Sequence, residues 1–459
     1  MLHRRIGLLQ AVSLNMAMMV GIGPFITIPD LVRALHGPWA LLGWVLGAAV
    51  AAADGLVWCE LAAAFPGSGG TYHFYDAVYG ESRVGRLLKF LFVWQFLFSG
   101  PLELASGAIG LGMYAGFLWP SLTGAAWSVH LVGPMAWTVS RSQLLAVAVM
   151  VGIVALAYRR IEVAGRWMVV LWAGMLATLV WMIVAGLSRF NPALAFAATP
   201  MAVDAHFVRG LGTALGMAMY CYLGYYQVCY LGDEVADPSR TLPRSILISV
   251  ALIALMYLAL NLGILGTIPW PEVATSKHIA TDFMARRYGP TAALAIAAMI
   301  LWTGATGTFS GVLSYGRIPY AAAKAGHFFH ALAKTHPTGE FPHRSLILVG
   351  GLSALACLFD LATVIAALLA SRIVIQFLGQ AATLAYVRSR PDLKSRLSFR
   401  MALYPLPALV ASAGWLFIFA TLDPNIIGYG LLSLALGVAA FVAWDRRAGS
   451  GGSEDRREA

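Results

Sequence analysis

A chain of 459 residues that is 59% apolar and only 11% charged lies far from the roughly 25% charged content of soluble domains, which excludes a water-soluble globular protein. Apolar runs long enough to cross a hydrocarbon core of about 30 Å recur along the whole length, so residues 1–459 read as one integral membrane domain. The formal charge of +10 does not point to nucleic acid, because no continuous basic face with interleaved aromatics is present.

Twelve helical spans are predicted, at 9–34, 39–64, 86–118, 142–158, 167–187, 207–232, 244–267, 290–322, 345–359, 361–387, 402–421 and 426–444, and are called spans 1 to 12 below. Residues 1–187 and 207–387 then form two five-helix halves, 402–444 two additional helices, and 445–459 a disordered tail. The fold expected is an all-α polytopic membrane protein, since lipid forces every exposed backbone group to be paired within helices. Basic residues crowd alternate connectors: Arg4, Arg5, Arg83, Arg86, Arg159, Arg160, Arg240, Arg244, Arg388 and Arg390 fall on one side, against Arg33, Arg141, Arg189 and Arg286 on the other. That asymmetry places both termini in the cytoplasm and the protein, multi-pass, in the cell (cytoplasmic) membrane.

Span 1 is interrupted by Gly21-Ile22-Gly23-Pro24, two residues tolerant of unusual dihedrals followed by one that lacks a helix donor. The reading is an unwound stretch whose bare amides line a cavity; the alternative is a simple proline kink. A second, weaker interruption is expected at Tyr220-Cys221-Tyr222-Leu223-Gly224 in span 6. Paired interruptions at matching places in two halves point to a substrate site between inverted repeats.

Ionisable groups at mid-span cost roughly 2.5 to 3.5 kcal/mol each and are functional candidates. Glu103 follows a Gly100-Pro101 pair expected to break span 3, Asp54 lies in span 2, and Arg372 near the middle of span 10. A buried arginine requires an acid, and Glu103 is the first choice. The pair is read either as a structural tie or as a coupling or gating element, and Asp54 either as a packing acid or as a proton site. Gly43 with Gly47, Gly112 with Gly116 and Gly212 with Gly216 read as close helix packing. Cys59, Cys221, Cys229 and Cys357 lack metal-ligand spacing and read as buried small residues.

Four separated motifs carry a family resemblance: Gly21-Ile22-Gly23-Pro24-Phe25; Glu60-Leu61-Ala62 with Phe65-Pro66-Gly67-Ser68-Gly69-Gly70 and Tyr72; Asp233-Glu234-Val235 with Asp237-Pro238 and Leu242-Pro243-Arg244; and Arg317, Ala323, Gly326 and His327. In this order they resemble the amino acid-polyamine-organocation permeases. The resemblance implies a 5+5 inverted repeat with helices 1 and 6 broken, plus two helices, with alternating access. It implies a substrate carboxylate on the amides of Gly21, Ile22 and Gly23, with Phe25 beside them, and a substrate amine on the carbonyls of Tyr220, Cys221 and Leu223, with Tyr220 as the lid. Tyr220, Tyr222, Tyr225 and Tyr226 form an aromatic cluster around the second break, read either as a gate or as ordinary interhelical packing. The sequence departs from the family pattern at Ile22, where Ser or Thr is common, at Pro24, where an aliphatic residue is common, and at Met175, where proton-coupled relatives carry lysine.

The expected function is secondary or exchange transport of amino acids, with protons as a candidate coupling ion and polyamine or another organic cation as the alternative substrate. No cofactor or metal is expected. A channel or receptor has no need of paired breaks. An enzyme would need a convergent set of catalytic groups, whereas His36, His130 and His278 sit apart. An ATP-driven pump would need a phosphate-cradling loop with a lysine, which the sequence lacks.

Overall fold

The computed structural model describes residues 6–130, 136–158, 161–197, 203–337 and 341–454. Helices lie over each predicted span, with ends within a few residues of those expected for most of them. Among the described residues, seven helices are long and apolar enough to cross a membrane, and the bent pair Leu8–Val20 with Gly23–Ala34 makes an eighth. Shorter apolar helices are Arg141–Ala157, His343–Ala356 and Leu406–Thr421. The last helix is Pro424–Glu454 and so runs through 445–454 of the tail expected at 445–459; residues 455–459 lie outside the described residues, as do Arg4, Arg5, Arg159 and Arg160 of the charge argument.

Local chemistry sets several helix starts. Ser82 Oγ accepts from the Gly85 amide at 3.0 Å, Asp204 from His206 and Phe207 at 2.9 Å, and Asp360 from Thr363 at 2.9 Å, each satisfying donors that a helix N-terminus leaves bare. Beyond its exposed first turn the Leu8–Val20 helix is buried from Ala11 to Val20 except for a part-buried Met18, whereas the Leu406–Thr421 helix buries only Ala411, Trp415 and Ile418. The first is the centre of the bundle and the second its rim. The first helix packs on spans 5, 7 and 8, and span 3 on spans 8, 9 and 10.

The expected all-α bundle is not displaced by a small addition, in which Ala125–His130 and Ala136–Ser140 pair as an antiparallel hairpin between spans 3 and 4. The exposed side chains of Ala125 to Ser128 are compatible with strands that lie beyond the hydrocarbon, where the helix requirement no longer applies. Span 3, expected to break at Gly100-Pro101, is not broken there, because one helix of 36 residues, Arg83–Leu118, runs through it. A proline removes a single donor, and a long buried helix absorbs that loss.

The end of the bundle near Ile6 is closed by polar ties. The Ile6 amide donates to the Glu234 carbonyl and the Ala236 amide to the Ile6 carbonyl, both at 2.9 Å. Arg317 Nε reaches Glu234 Oε1 at 2.9 Å, and Arg388 grips Glu60 through two nitrogens, Nε at 2.9 Å. Lys89, fully buried, donates to Asp76 at 2.7 Å and Glu81 at 2.8 Å, with His327 Nε2 at 3.0 Å. The Lys89 hydrogen bond and then that of His327 hold the Glu81 carboxyl below its ordinary value. A depressed folded value means that this tie contributes fully above the ordinary glutamate range and is lost as pH falls through the folded value. Glu81→Gln is therefore expected to be cut by added protease at neutral pH as readily as the unsubstituted protein is in acid, which limited proteolysis across pH checks.

Candidate functional site

Span 1 unwinds at Gly21 and Ile22. Gly21 adopts φ 37°, ψ −137°, and the second helix starts at Gly23 with a bend of 44°. Pro24 stands in the first turn of that helix, where a missing N–H costs nothing. No backbone carbonyl among the described residues accepts from the Ile22 or Gly23 amides. The break is thus a helix N-terminus with two bare donors.

The second break falls at the C-terminal end of the stretch expected to hold it, Tyr220 to Gly224. The helix Ala205–Tyr222 continues through Tyr220 and Cys221, Gly224 turns the chain at φ 105°, and a tight 3-10 segment, Gln227–Glu234, follows. Gly224 is the reason, since φ in that region suits glycine and few other residues. Consequently the Tyr220 carbonyl accepts from the Leu223 amide at 3.3 Å and the Cys221 carbonyl from Tyr257 Oη at 3.2 Å. Neither is bare. The Tyr222 and Leu223 carbonyls receive no backbone amide among the described residues.

Buried polar side chains hold this irregular backbone in place. Tyr257 Oη donates to the Met19 carbonyl at 2.8 Å as well as to Cys221, so one hydroxyl ties both breaks. Asn15 Oδ1 accepts from the Val228 amide at 2.9 Å, and Ser310 Oγ donates to the Leu14 carbonyl at 3.2 Å. Thr27 Oγ1 lies 3.1 Å from Cys221 Sγ. Tyr257→Phe removes the shared donor and is expected to lower the unfolding free energy by about 1–3 kcal/mol and to weaken substrate affinity, read from a melting curve with and without substrate.

The first break and the last turn of the Ala205–Tyr222 helix, just before the second break, meet across a cavity lined by Met18, Met19, Gly21, Ile22, Gly23, Glu103, Leu104, Gly107, Tyr220, Cys221, Gly304, Gly307 and Thr308. Its volume is about 30 Å³, room for roughly two waters, so an amino acid enters only if the walls part. The walls are thin because they are glycine: a Cβ on Gly307 would stand 2.8 Å from Gly21 Cα, and one on Gly23 3.3 Å from Cys221 Sγ. Tyr220 Oη closes one side by donating to Ser106 Oγ at 2.8 Å.

Of the residues singled out from sequence, Gly21, Ile22, Gly23, Tyr220, Cys221 and Glu103 line this cavity. The others do not. Phe25 is buried with its carbonyl accepting from Tyr114 at 2.9 Å, Tyr222 donates away from the cavity to the Trp44 carbonyl at 3.3 Å, and Leu223 caps its helix. Asp54 is bonded by Tyr225 Oη through one oxygen, with the Trp58 and Trp415 indoles beside the carboxylate. Met175 is buried and brings no amine to span 5. The cavity-lining glycines of spans 3 and 8, Gly107, Gly304 and Gly307, were missed. Gly304 and Gly307 stand three apart on one helix face, the signal that was available.

Behind the cavity, Arg372 Nη1 lies 2.5 Å from Glu103 Oε2 and 3.1 Å from Tyr226 Oη, and Tyr315 donates to the same carboxylate oxygen. Arg372 is 1% exposed. Span 10 passes into a π-helical turn, Ile373–Leu378, directly after it, a local widening that often marks functional helices.

Comparison with known proteins agrees with this geometry. The family model described as amino acid permease matches residues 6–442. An uncharacterized transporter of Mycobacterium tuberculosis is 29% identical over 78% of this chain and 75% of its own length. The serine/threonine exchanger of Bacillus subtilis is 25% identical over 95% of both chains, and the human Asc-type amino acid transporter 1 is 26% identical over 78% of this chain and 66% of its own. With two interrupted helices bordering one cavity and a family match over nearly the whole length, the chain is a multi-pass membrane transporter, not an enzyme, and belongs to the amino acid permease family of the amino acid-polyamine-organocation superfamily.

Proposed function

We propose that the protein carries amino acids across the cell membrane by alternating access, with the substrate held between the two helix breaks. The observation that carries this reading is the meeting of Gly21–Gly23 with Tyr220 and Cys221 across one cavity. The bare amides of Ile22 and Gly23 at a helix N-terminus suit a carboxylate. The unpaired carbonyls of Tyr222 and Leu223 at a helix C-terminus suit an ammonium once the walls part. A zwitterion carries both groups.

The architecture that goes with this reading is twelve helices, with 1–187 and 207–387 as inverted repeats and 402–444 as two additional helices. Both termini are cytoplasmic. The ties of Glu60 with Arg388, Glu234 with Arg317 and Lys89 with its acids then close the cytoplasmic end, and transport requires that they open. Exchange is the mode favoured by the name of the Bacillus relative. A polyamine or other organic cation is the second reading, and it is disfavoured because Glu103 already holds a cation, Arg372.

Reconstitution in proteoliposomes tests the reading. Labelled neutral amino acids are expected to accumulate, competed by unlabelled amino acids and not by putrescine, with and without a pH gradient. Uptake of none of them sinks it.

A further inference from the structure

Among the described residues, Glu103 is the one carboxylate that lines the cavity. Its Oε2 is taken by Arg372 Nη1 at 2.5 Å and by Tyr315 Oη. Arg372 itself does not line the cavity; it approaches Glu103 from behind, 1% exposed, with its guanidinium carbon 5.8 Å from the centre of the Tyr315 ring. Its Nε and Nη2 have no hydrogen-bond partner. A purely structural ion pair in this setting would be expected to fill those donors. What the guanidinium does instead is cover the acid.

We infer that Arg372 is a built-in cation that excludes cationic substrates, occupying the carboxylate that would otherwise bind the ammonium or guanidinium of a lysine, arginine or polyamine. The inference rests on the proposal that this cavity is the substrate site. The chemistry is competitive: a tethered guanidinium acts at high effective concentration. A free substrate cation that displaced it would strand Arg372, buried and without a carboxylate. Neutral side chains face no such competitor, since they meet Gly107, Gly304 and Thr308 on the remaining wall. Selectivity then comes from a repulsive element as much as from an attractive one. Removing Arg372 leaves an acid in a transporter cavity, the arrangement that suits a cationic side chain.

The test is Arg372→Met in proteoliposomes, with labelled lysine and putrescine beside labelled alanine and serine. The unsubstituted protein is expected to take up neutral amino acids and to leave lysine and putrescine at background. Arg372→Met is expected to raise lysine uptake at least about tenfold, and Glu103→Gln with Arg372→Met to return it to background. Folded Arg372→Met that moves neutral amino acids but no cation overturns the inference, as does ready lysine uptake by the unsubstituted protein. Should Arg372→Met not be recovered as a monodisperse protein, purification is repeated in saturating lysine or putrescine: recovery by either supports the inference, and no recovery overturns it. Failure of the unsubstituted protein to move any amino acid instead contradicts the proposed function.

Discussion

Glu103→Gln is expected to destabilise the purified protein by about 3–5 kcal/mol and to abolish transport, while Glu103→Gln combined with Arg372→Gln recovers most of the stability. The reason lies in what each single change strands. With Glu103 neutral, Arg372 keeps its charge at 1% exposure, because a guanidinium has no accessible neutral form. With Arg372 neutral, Glu103 borders the cavity and retains the Tyr315 hydroxyl, and a carboxyl can take up a proton. Arg372→Gln alone is therefore expected to cost less than Glu103→Gln alone. Thermal unfolding of the four proteins gives the coupling energy directly. Two equal single effects that simply add would show that the pair does not act as a unit.

The second large effect is expected at Gly224. Its φ of 105° costs a residue with a Cβ about 1–3 kcal/mol, and that Cβ would stand 2.6 Å from Met18 Cγ and 3.1 Å from the Met19 amide nitrogen. Gly224→Ala must either move the first helix or lose the turn. Both routes pull the two breaks apart, so transport is expected to fall to background while the protein remains membrane-inserted. Gly351→Ala, where a Cβ meets nothing within 4 Å, is the control expected to leave uptake unchanged. Uptake assays on both variants at matched expression decide it.

These expectations show where the sequence was informative. Span positions were readable because run length and apolarity leave little choice in lipid, and the first break because Gly21, Gly23 and Pro24 weaken a helix within four residues. The partner of Arg372 was readable because a mid-span arginine requires an acid and, in the fold the resemblance implies, spans 3 and 10 border one vestibule, which made Glu103 the first choice. The second break was harder to place. Gly224 is the one helix-weakening residue between Tyr220 and Tyr226, and the structure puts the turn on it.

Other features depend on tertiary contact and left no sequence signal of comparable strength. Gly107, Gly304 and Gly307 read like the packing glycines Gly43 and Gly47, and only the approach of Gly307 to Gly21 Cα separates a cavity wall from a seam. Tyr257 joins the carbonyls of Met19 and Cys221, residues far from it and from each other in sequence. Glu60 and Arg388 are likewise remote in the chain yet paired in the fold. Pro101 misled in the other direction, because a residue that weakens an isolated helix is carried within the continuous helix Arg83–Leu118.

The most direct measurement of the central claim uses a native thiol. Cys221 stands just before the second break, lines the cavity and touches Thr27 of the first helix, so substrate held between the breaks must cover it. In a variant with Cys59, Cys229 and Cys357 replaced by alanine, the rate at which a small thiol reagent modifies Cys221 in proteoliposomes is predicted to fall when a transported amino acid is present at saturation. Modification of Cys221 at the same rate with and without that amino acid would contradict a substrate site between the two broken helices.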